Sequence, residues 1–228
     1  MSIKDLAKGL TLISALILVG CGGGDGASPG VPTDPNTVFR SAPSGYFTDG
    51  FSETRNYTGT DSEGGVYTAT FSVQTQSQTT FLGVPAIPIL GLLQLTNTAN
   101  GGFVSSTVTV YYTTSASDRH YLGSSDSSTT TVSSTTNALP DSGKIGDFGV
   151  TGTYTDNAGN VTQQSWRIDD GFNGRAKLVS LSTTTDQFGT LTLSTTTTQL
   201  IDTSGNVISE ELIVFYADVG VTLTLNRS

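Results

Sequence analysis

Apolar and polar residues alternate one by one along much of this chain. Tyr67, Ala69, Phe71 and Val73 fall on one face of an extended segment, and Thr68, Thr70 and Ser72 fall on the other. Val104, Val108, Val110 and Tyr112 oppose Ser105, Thr107 and Thr109 in the same way. Leu191 and Leu193 flank Thr192, and Val221, Leu223 and Leu225 oppose Thr222 and Thr224. A period of two with one dry and one wet face predicts antiparallel strands. Residues 212–216 are apolar on both faces, which predicts a strand inside the sheet rather than at its edge. The threonine runs 183–185 and 195–198 favour strands as well, because branching at Cβ stiffens χ1. No apolar period of 3.6 residues persists long enough to predict a helix.

Between these segments a short pattern recurs. Asp61-Ser62-Glu63-Gly64-Gly65-Val66 matches Asp156-Asn157-Ala158-Gly159-Asn160-Val161 and Asp202-Thr203-Ser204-Gly205-Asn206-Val207. Aspartate opens a type I turn by bonding its own backbone, and glycine at the fourth position accepts positive φ. The pattern therefore predicts repeated hairpins. As a calcium loop it lacks the EF-hand spacing and the closing glutamate. The fold class expected is all-β: a single antiparallel, meander-rich domain over residues 45–228, of about eleven or twelve strands. A sheet that wide must curl into a half-barrel or barrel or split into a sandwich.

The amino-terminal part has a different composition. Lys4 and Lys8 precede a mostly apolar run over 10–19, too short to span a bilayer. Directly behind it stands Cys21, the single cysteine. Leu18-Val19-Gly20-Cys21 resembles the lipobox of bacterial lipoproteins. The resemblance implies a signal peptide over residues 1–20 and cleavage between Gly20 and Cys21. It also implies diacylglycerol on the Cys21 thiol and acylation, palmitate for instance, of the new amino terminus. Handling by the lipoprotein export machinery follows. With Gly22 rather than aspartate after the cysteine, it implies the cell outer membrane, on its periplasmic or surface face. Residues 21–44 carry Gly22-Gly23-Gly24, Gly26, Gly30, Pro29, Pro32, Pro35 and Pro43, and read as a flexible tether. The whole chain also resembles uncharacterised Gly-, Ser- and Thr-rich proteobacterial outer-membrane lipoproteins, a likeness of composition.

Charge narrows the function classes. Removing residues 1–20 leaves 8 basic and 18 acidic residues, a net −10. With no basic cluster, a nucleic-acid partner is not expected. One histidine, His120, in the polar stretch Ser117-Asp118-Arg119-His120-Tyr121, offers neither a zinc set nor a hydrolase triad, and no Gly-x-Ser-x-Gly elbow occurs. Asp169-Asp170 and Glu210-Glu211 could serve as acid and base by type. Neighbours on a strand point to opposite faces, so neither pair would converge. No catalytic residue, metal or cofactor is therefore expected.

Two binding patches are candidates. The stretch 81–93 is the most apolar of the mature chain. Pro85 and Pro88 within it predict a loop or edge rather than a central strand. Phe81, Leu82, Val84, Ile87, Ile89, Leu90 and Leu92 would form an apolar lip or patch, unless they plug the sheet. Tyr154, Trp166, Asp169 and Asp170 could form a sugar-type site, with the only tryptophan stacking on a ring. Against that, Trp166 and Ile168 share a strand face and fit a core position, with Arg167 pointing away. The expected role is a non-enzymatic envelope protein that docks on another envelope protein. The alternative is a binder of an acyl chain or sugar, with a groove lined by residues such as Phe71, Val73, Ile87, Leu90 and Val110.

Overall fold

The computed structural model describes residues 30–227. The expected signal peptide over residues 1–20 and the expected lipidation site at Cys21, with Gly20, lie outside the described residues. Fifteen strands follow one another, with no helix among the described residues. They are β1 (Val38–Arg40), β2 (Ser52–Asp61), β3 (Val66–Thr75), β4 (Thr79–Phe81), β5 (Val84–Asn97), β6 (Phe103–Thr113), β7 (Tyr121–Ser125) and β8 (Thr130–Thr136). Then come β9 (Ser142–Lys144), β10 (Phe148–Asp156), β11 (Val161–Phe172), β12 (Arg175–Thr185), β13 (Leu191–Ile201), β14 (Val207–Tyr216) and β15 (Val221–Arg227).

Twelve of these close into one antiparallel barrel, in the order β3-β2-β15-β14-β13-β12-β11-β10-β8-β7-β6-β5 and back to β3. The closing ladder pairs Phe71 with Leu93 and Val73 with Gly91. Closure removes both sheet edges, which is why a long run of alternating strands reaches a barrel rather than a sandwich. β14 sits between β13 and β15, as its two apolar faces required.

The hairpin repeat occurs four times, not three, the addition being Asp186-Gln187-Phe188-Gly189-Thr190. In each copy the aspartate carboxylate accepts from backbone N–H groups two and four residues on, and the glycine has φ between 81° and 88°. Those carboxylates are thus committed to turn formation.

β5 departs from expectation. The stretch expected to be a loop or edge is the longest strand, with 14 residues, and lies between β3 and β6. The prolines are accommodated by local gaps in the ladder. Pro88 turns its carbonyl toward the β3–β4 side, where it accepts from Gln76 at 2.9 Å, so its absent N–H falls opposite the break between β3 and β4. Pro85 lies beyond the last β6 partner, which pairs Ala86 with Thr113.

The interior has two halves. Strands β14, β15, β2, β3, β5 and β6 send Leu212, Val214, Leu223, Leu225, Tyr57, Phe71, Val73, Ile89, Leu93, Val108 and Val110 into one apolar core. Strands β11, β12 and β13 instead turn Thr162, Gln164, Ser180, Ser182, Thr184, Thr195, Thr197 and Gln199 inward. On β12 the usual polarity is inverted, with Leu181 outside and Ser180 and Ser182 inside. The outward residues of β2, β3 and β15 include Thr58, Thr60, Thr68, Ser72, Thr222 and Thr224.

Residues 30–44, expected within the tether, are packed on the barrel. Together with residues 45–51 they form a strap across one rim. Val31 and Asn173 exchange two hydrogen bonds, the Thr33 hydroxyl donates to the Arg175 carbonyl, and Arg40 N–H donates to Thr203. β1 pairs with β9, and Phe39 is fully buried against Ile168, Leu178, Ile201 and Val207. Prolines and glycines are compatible with this extended path. The composition suggested freedom, but Phe39 and Tyr46 supply the apolar anchors.

Candidate functional site

Beneath the strap lies a cavity of about 270 Å³. Its roof is the strap from Arg40 to Thr48. Its floor is the polar wall, with Thr151 of β10, Gln164, Trp166 and Ile168 of β11, and Leu178 and Ser180 of β12. The remaining sides come from Tyr112, Arg119, Tyr121, Leu139 and Asp141. The apolar core meets the cavity through Tyr46, Tyr112 and Tyr121. The groove expected from Phe71, Val73, Ile87, Leu90 and Val110 is not formed, because all but Leu90 are packed in the apolar core. Leu90 lies half-buried on the other face.

The wall presents polar groups inward for local reasons. Gly152 pairs with Gln164 and Val150 pairs with Ser165, so Thr151 is the extra residue of a β-bulge. A bulge re-aims its side chain, and Thr151 is turned inside. Gln164 and Ser180 occupy the inward positions of neighbouring strands. Gln164, Thr151 and Ser180 are 3, 6 and 7 % exposed. None of their side chains has a hydrogen-bond partner among the described residues.

Arg119 enters from the β6–β7 connection. Its guanidinium lies 4.0 Å from the Phe47 ring centroid, a cation–π contact, and Nη1 donates at 3.4 Å to the Thr113 carbonyl. Its Nε is buried without a partner. Burial pulls the Arg119 guanidinium below its ordinary value, and the nearby Asp141 carboxylate pulls the other way. The guanidinium stays charged at neutral pH. Phe47 stands edge-on to Tyr112 at 5.3 Å, and Tyr112, Tyr121 and Tyr154 continue as edge-on rings. Burial pushes the phenols of Tyr112, Tyr121 and Tyr154 well up, so all three are neutral hydroxyls at physiological pH.

The four residues of the candidate sugar-type site do not meet as a set. Tyr154 is buried with its hydroxyl unpartnered, and Trp166 lines the cavity while packing against the Phe39 cluster. Asp170 holds the strap, accepting from Thr33 and Phe172 N–H groups. Those bonds, first the one from Phe172, keep its carboxyl below the usual range. Asp169 faces outward and pairs with Arg167 at 2.8 Å. The apolar patch is also divided. Ile87 and Ile89 are core, and Leu90 and Leu92 are half-buried on the outer face. Phe81 stacks flat on Tyr111 at 4.2 Å, while Leu82 and Val84 are exposed beside a shallow outer cleft of about 250 Å³. Glu210 points inward and Glu211 outward, so that carboxylate pair diverges. His120 Nε2 lies 2.6 Å from Asp118 in the β6–β7 connection.

Sequence reasoning picked out Trp166 but missed Gln164, Thr151, Ser180, Arg119 and Asp141. The one signal available was the inverted polarity of β12, where Leu181 is flanked by serines on the opposite face.

No family model matches the chain, and no curated protein matches it. Among solved structures, a candidate lipoprotein of Parabacteroides distasonis ATCC 8503 aligns over 82 % of this chain and 94 % of its own, at 12 % identity and a TM-score of 0.32. That score is too low to carry fold or role from one chain to the other.

Proposed function

We propose that this chain is a lipid-anchored protein of the bacterial outer membrane whose barrel is a non-enzymatic binding module. The observation that carries the binding reading is the strap-covered cavity, walled by buried polar groups and aromatic rings. The anchor rests on Leu18-Val19-Gly20-Cys21 behind a short apolar run. Multiple acyl chains on one residue, at about 0.8 kcal/mol per buried methylene, hold a protein on a bilayer essentially permanently.

The two ends of the reading meet at one rim. Gly30 lies against the β11–β12 turn on the strap rim, where a Cβ would meet Phe172. Residues 22–30 reach at most about 30 Å when fully extended. The strap rim would then lie close to the lipid surface, and the far rim, with three of the four aspartate hairpins, would point away. An envelope protein docking on that far rim is a compatible partner. The divergent carboxylate pairs support a role without chemistry.

The anchor is tested by fractionation. Wild-type chain should be shortened, labelled by palmitate and sedimented with outer membranes. Cys21→Ser should keep residues 1–20, take no label and leave that fraction. A Cys21→Ser chain that is still processed and still sediments overturns the anchor.

A further inference from the structure

The chemistry of the cavity distinguishes between ligand classes. An acyl chain would leave the buried Gln164 amide and the Thr151 and Ser180 hydroxyls unpartnered, a cost it cannot offset. A bare anion would find Arg119 but would face the Asp141 carboxylate and leave uncovered the part of Trp166 that lines the cavity. Water alone would satisfy the hydroxyls, yet several molecules would lie against Trp166, Leu178 and Ile168.

One ligand class uses every feature. A pyranose carries hydroxyls that donate and accept around its rim and a patch of C–H groups on its face. Gln164 offers both a donor and an acceptor, Arg119 donates, Asp141 accepts, and Thr151 and Ser180 do either. Trp166 supplies the flat apolar platform. At about 270 Å³ the cavity lies just below the usual range of ligand sites, which starts at about 300 Å³, so it has room for one ring rather than an oligosaccharide. We infer that the strap-covered cavity binds a single sugar ring, with Trp166 stacking on it and Gln164, Thr151, Ser180, Arg119 and Asp141 taking its hydroxyls. The inference rests on the binding-module reading above and names the ligand class for that same site.

The strap forms the roof, so its departure would open the site. Of the residues that would hold the ring, Thr151, Gln164, Trp166 and Ser180 are on the barrel wall, Arg119 is in the β6–β7 connection and Asp141 directly precedes β9. Asp169, although near in sequence, is on the outer surface and plays no part.

Trp166 is the only tryptophan and lines the cavity, so its emission reports on the wall of this site. The mature chain in detergent is titrated with D-glucose, D-galactose and N-acetyl-D-glucosamine, and separately with octanoate and inorganic phosphate. The expected result is saturable quenching or a blue shift with at least one hexose, with a Kd of about 1 mM or tighter. Gln164→Leu and the near-isosteric Thr151→Val should each weaken that binding about tenfold or more while the circular dichroism spectrum is retained. A response to octanoate or phosphate but to no hexose overturns the sugar assignment and leaves the binding module standing. A Trp166 emission that none of the five probes moves overturns both. Hexose binding that survives Gln164→Leu and Thr151→Val unchanged also overturns the site.

Discussion

Removing the ring of Phe39 tests whether the strap is part of the fold. Phe39 belongs to a segment whose composition suggests a spacer, yet it is fully buried among Ile168, Ala176, Leu178, Ile201 and Val207. A buried phenylalanine removes on the order of 150–250 Å² from water, worth about 4–6 kcal/mol at ~25 cal/mol/Å². Measured truncations to alanine cost about 3–5 kcal/mol. Phe39→Ala should therefore lose about 4 kcal/mol if the strap and barrel unfold together. For a domain of this size that is roughly 8–16 °C in Tm. Urea unfolding is followed by circular dichroism for the barrel and by Trp166 emission for the strap side. If the strap detaches first, the Trp166 curve moves to lower urea while the barrel curve moves less, because the loss is capped at the strap's own stability. In either case Trp166 reports a change. A variant whose two curves both coincide with wild type, within about 1 kcal/mol, would refute the strap as a folded element.

Three further outcomes follow from other parts of the molecule. Gly189 and Gly205 have the same hairpin position and nearly the same φ, 82° and 81°, but a Cβ at Gly189 meets open space while one at Gly205 would come 2.7 Å from the Ala42 carbonyl. Gly189→Ala should cost about 1–2 kcal/mol for the left-handed backbone, and Gly205→Ala a further 1–3 kcal/mol or so for the clash with the strap; equal losses by urea unfolding would contradict the packing. Inside the barrel wall Arg55 pairs with Glu210 at 3.0 Å and Glu53 at 3.2 Å, and Tyr57 donates to Glu210 at 3.1 Å. Burial opposes the Arg55 charge, but Glu210 and its neighbours more than restore it. Arg55→Met strands Glu210 in the wall and should cost about 3–5 kcal/mol, whereas a loss under 1 kcal/mol would show that the pair is not buried in solution. Stability should also fall at both pH extremes. The Asp61 carboxyl, lowered by Tyr67 and two backbone N–H groups against a burial penalty, contributes fully above its unfolded value of about 3.9 and loses that contribution as pH drops below it. Burial and Asp61 push Tyr67 up to about 12, and burial pushes Tyr112, Tyr121, Tyr154 and Tyr216 up as well. Their contribution is complete below about pH 10 and is lost as pH rises through the folded values, so tyrosinate should appear together with unfolding. Free titration of these phenols near pH 10 in a still-folded barrel would contradict their burial.

Much of the fold was legible from alternation. Val221, Leu223 and Leu225 face inward, and the aspartate–glycine repeats mark hairpins. The fourth repeat escaped notice because Leu191 replaces the valine that ends the other three. Pro85 and Pro88 misled because the rule against proline in a central strand assumes a continuous ladder, and here the neighbouring strands break where the N–H groups are missing. The strap was hidden by its glycines and prolines, since a single fully buried ring, Phe39, outweighs them only once its pocket exists. The cavity was least legible. It depends on Ser180, Gln164 and Thr151 facing inward, and polar positions on strands read as solvent-facing unless the register and the bulge at Thr151 are known.

The most direct test is native mass spectrometry of the protein recovered from expressing cells in mild detergent. The expected species is a chain beginning at Cys21 with the mass of its acyl groups, plus a small adduct that leaves on denaturation. A chain that begins at Met1, carries no acyl mass and holds no adduct would contradict both the anchor and the occupied cavity.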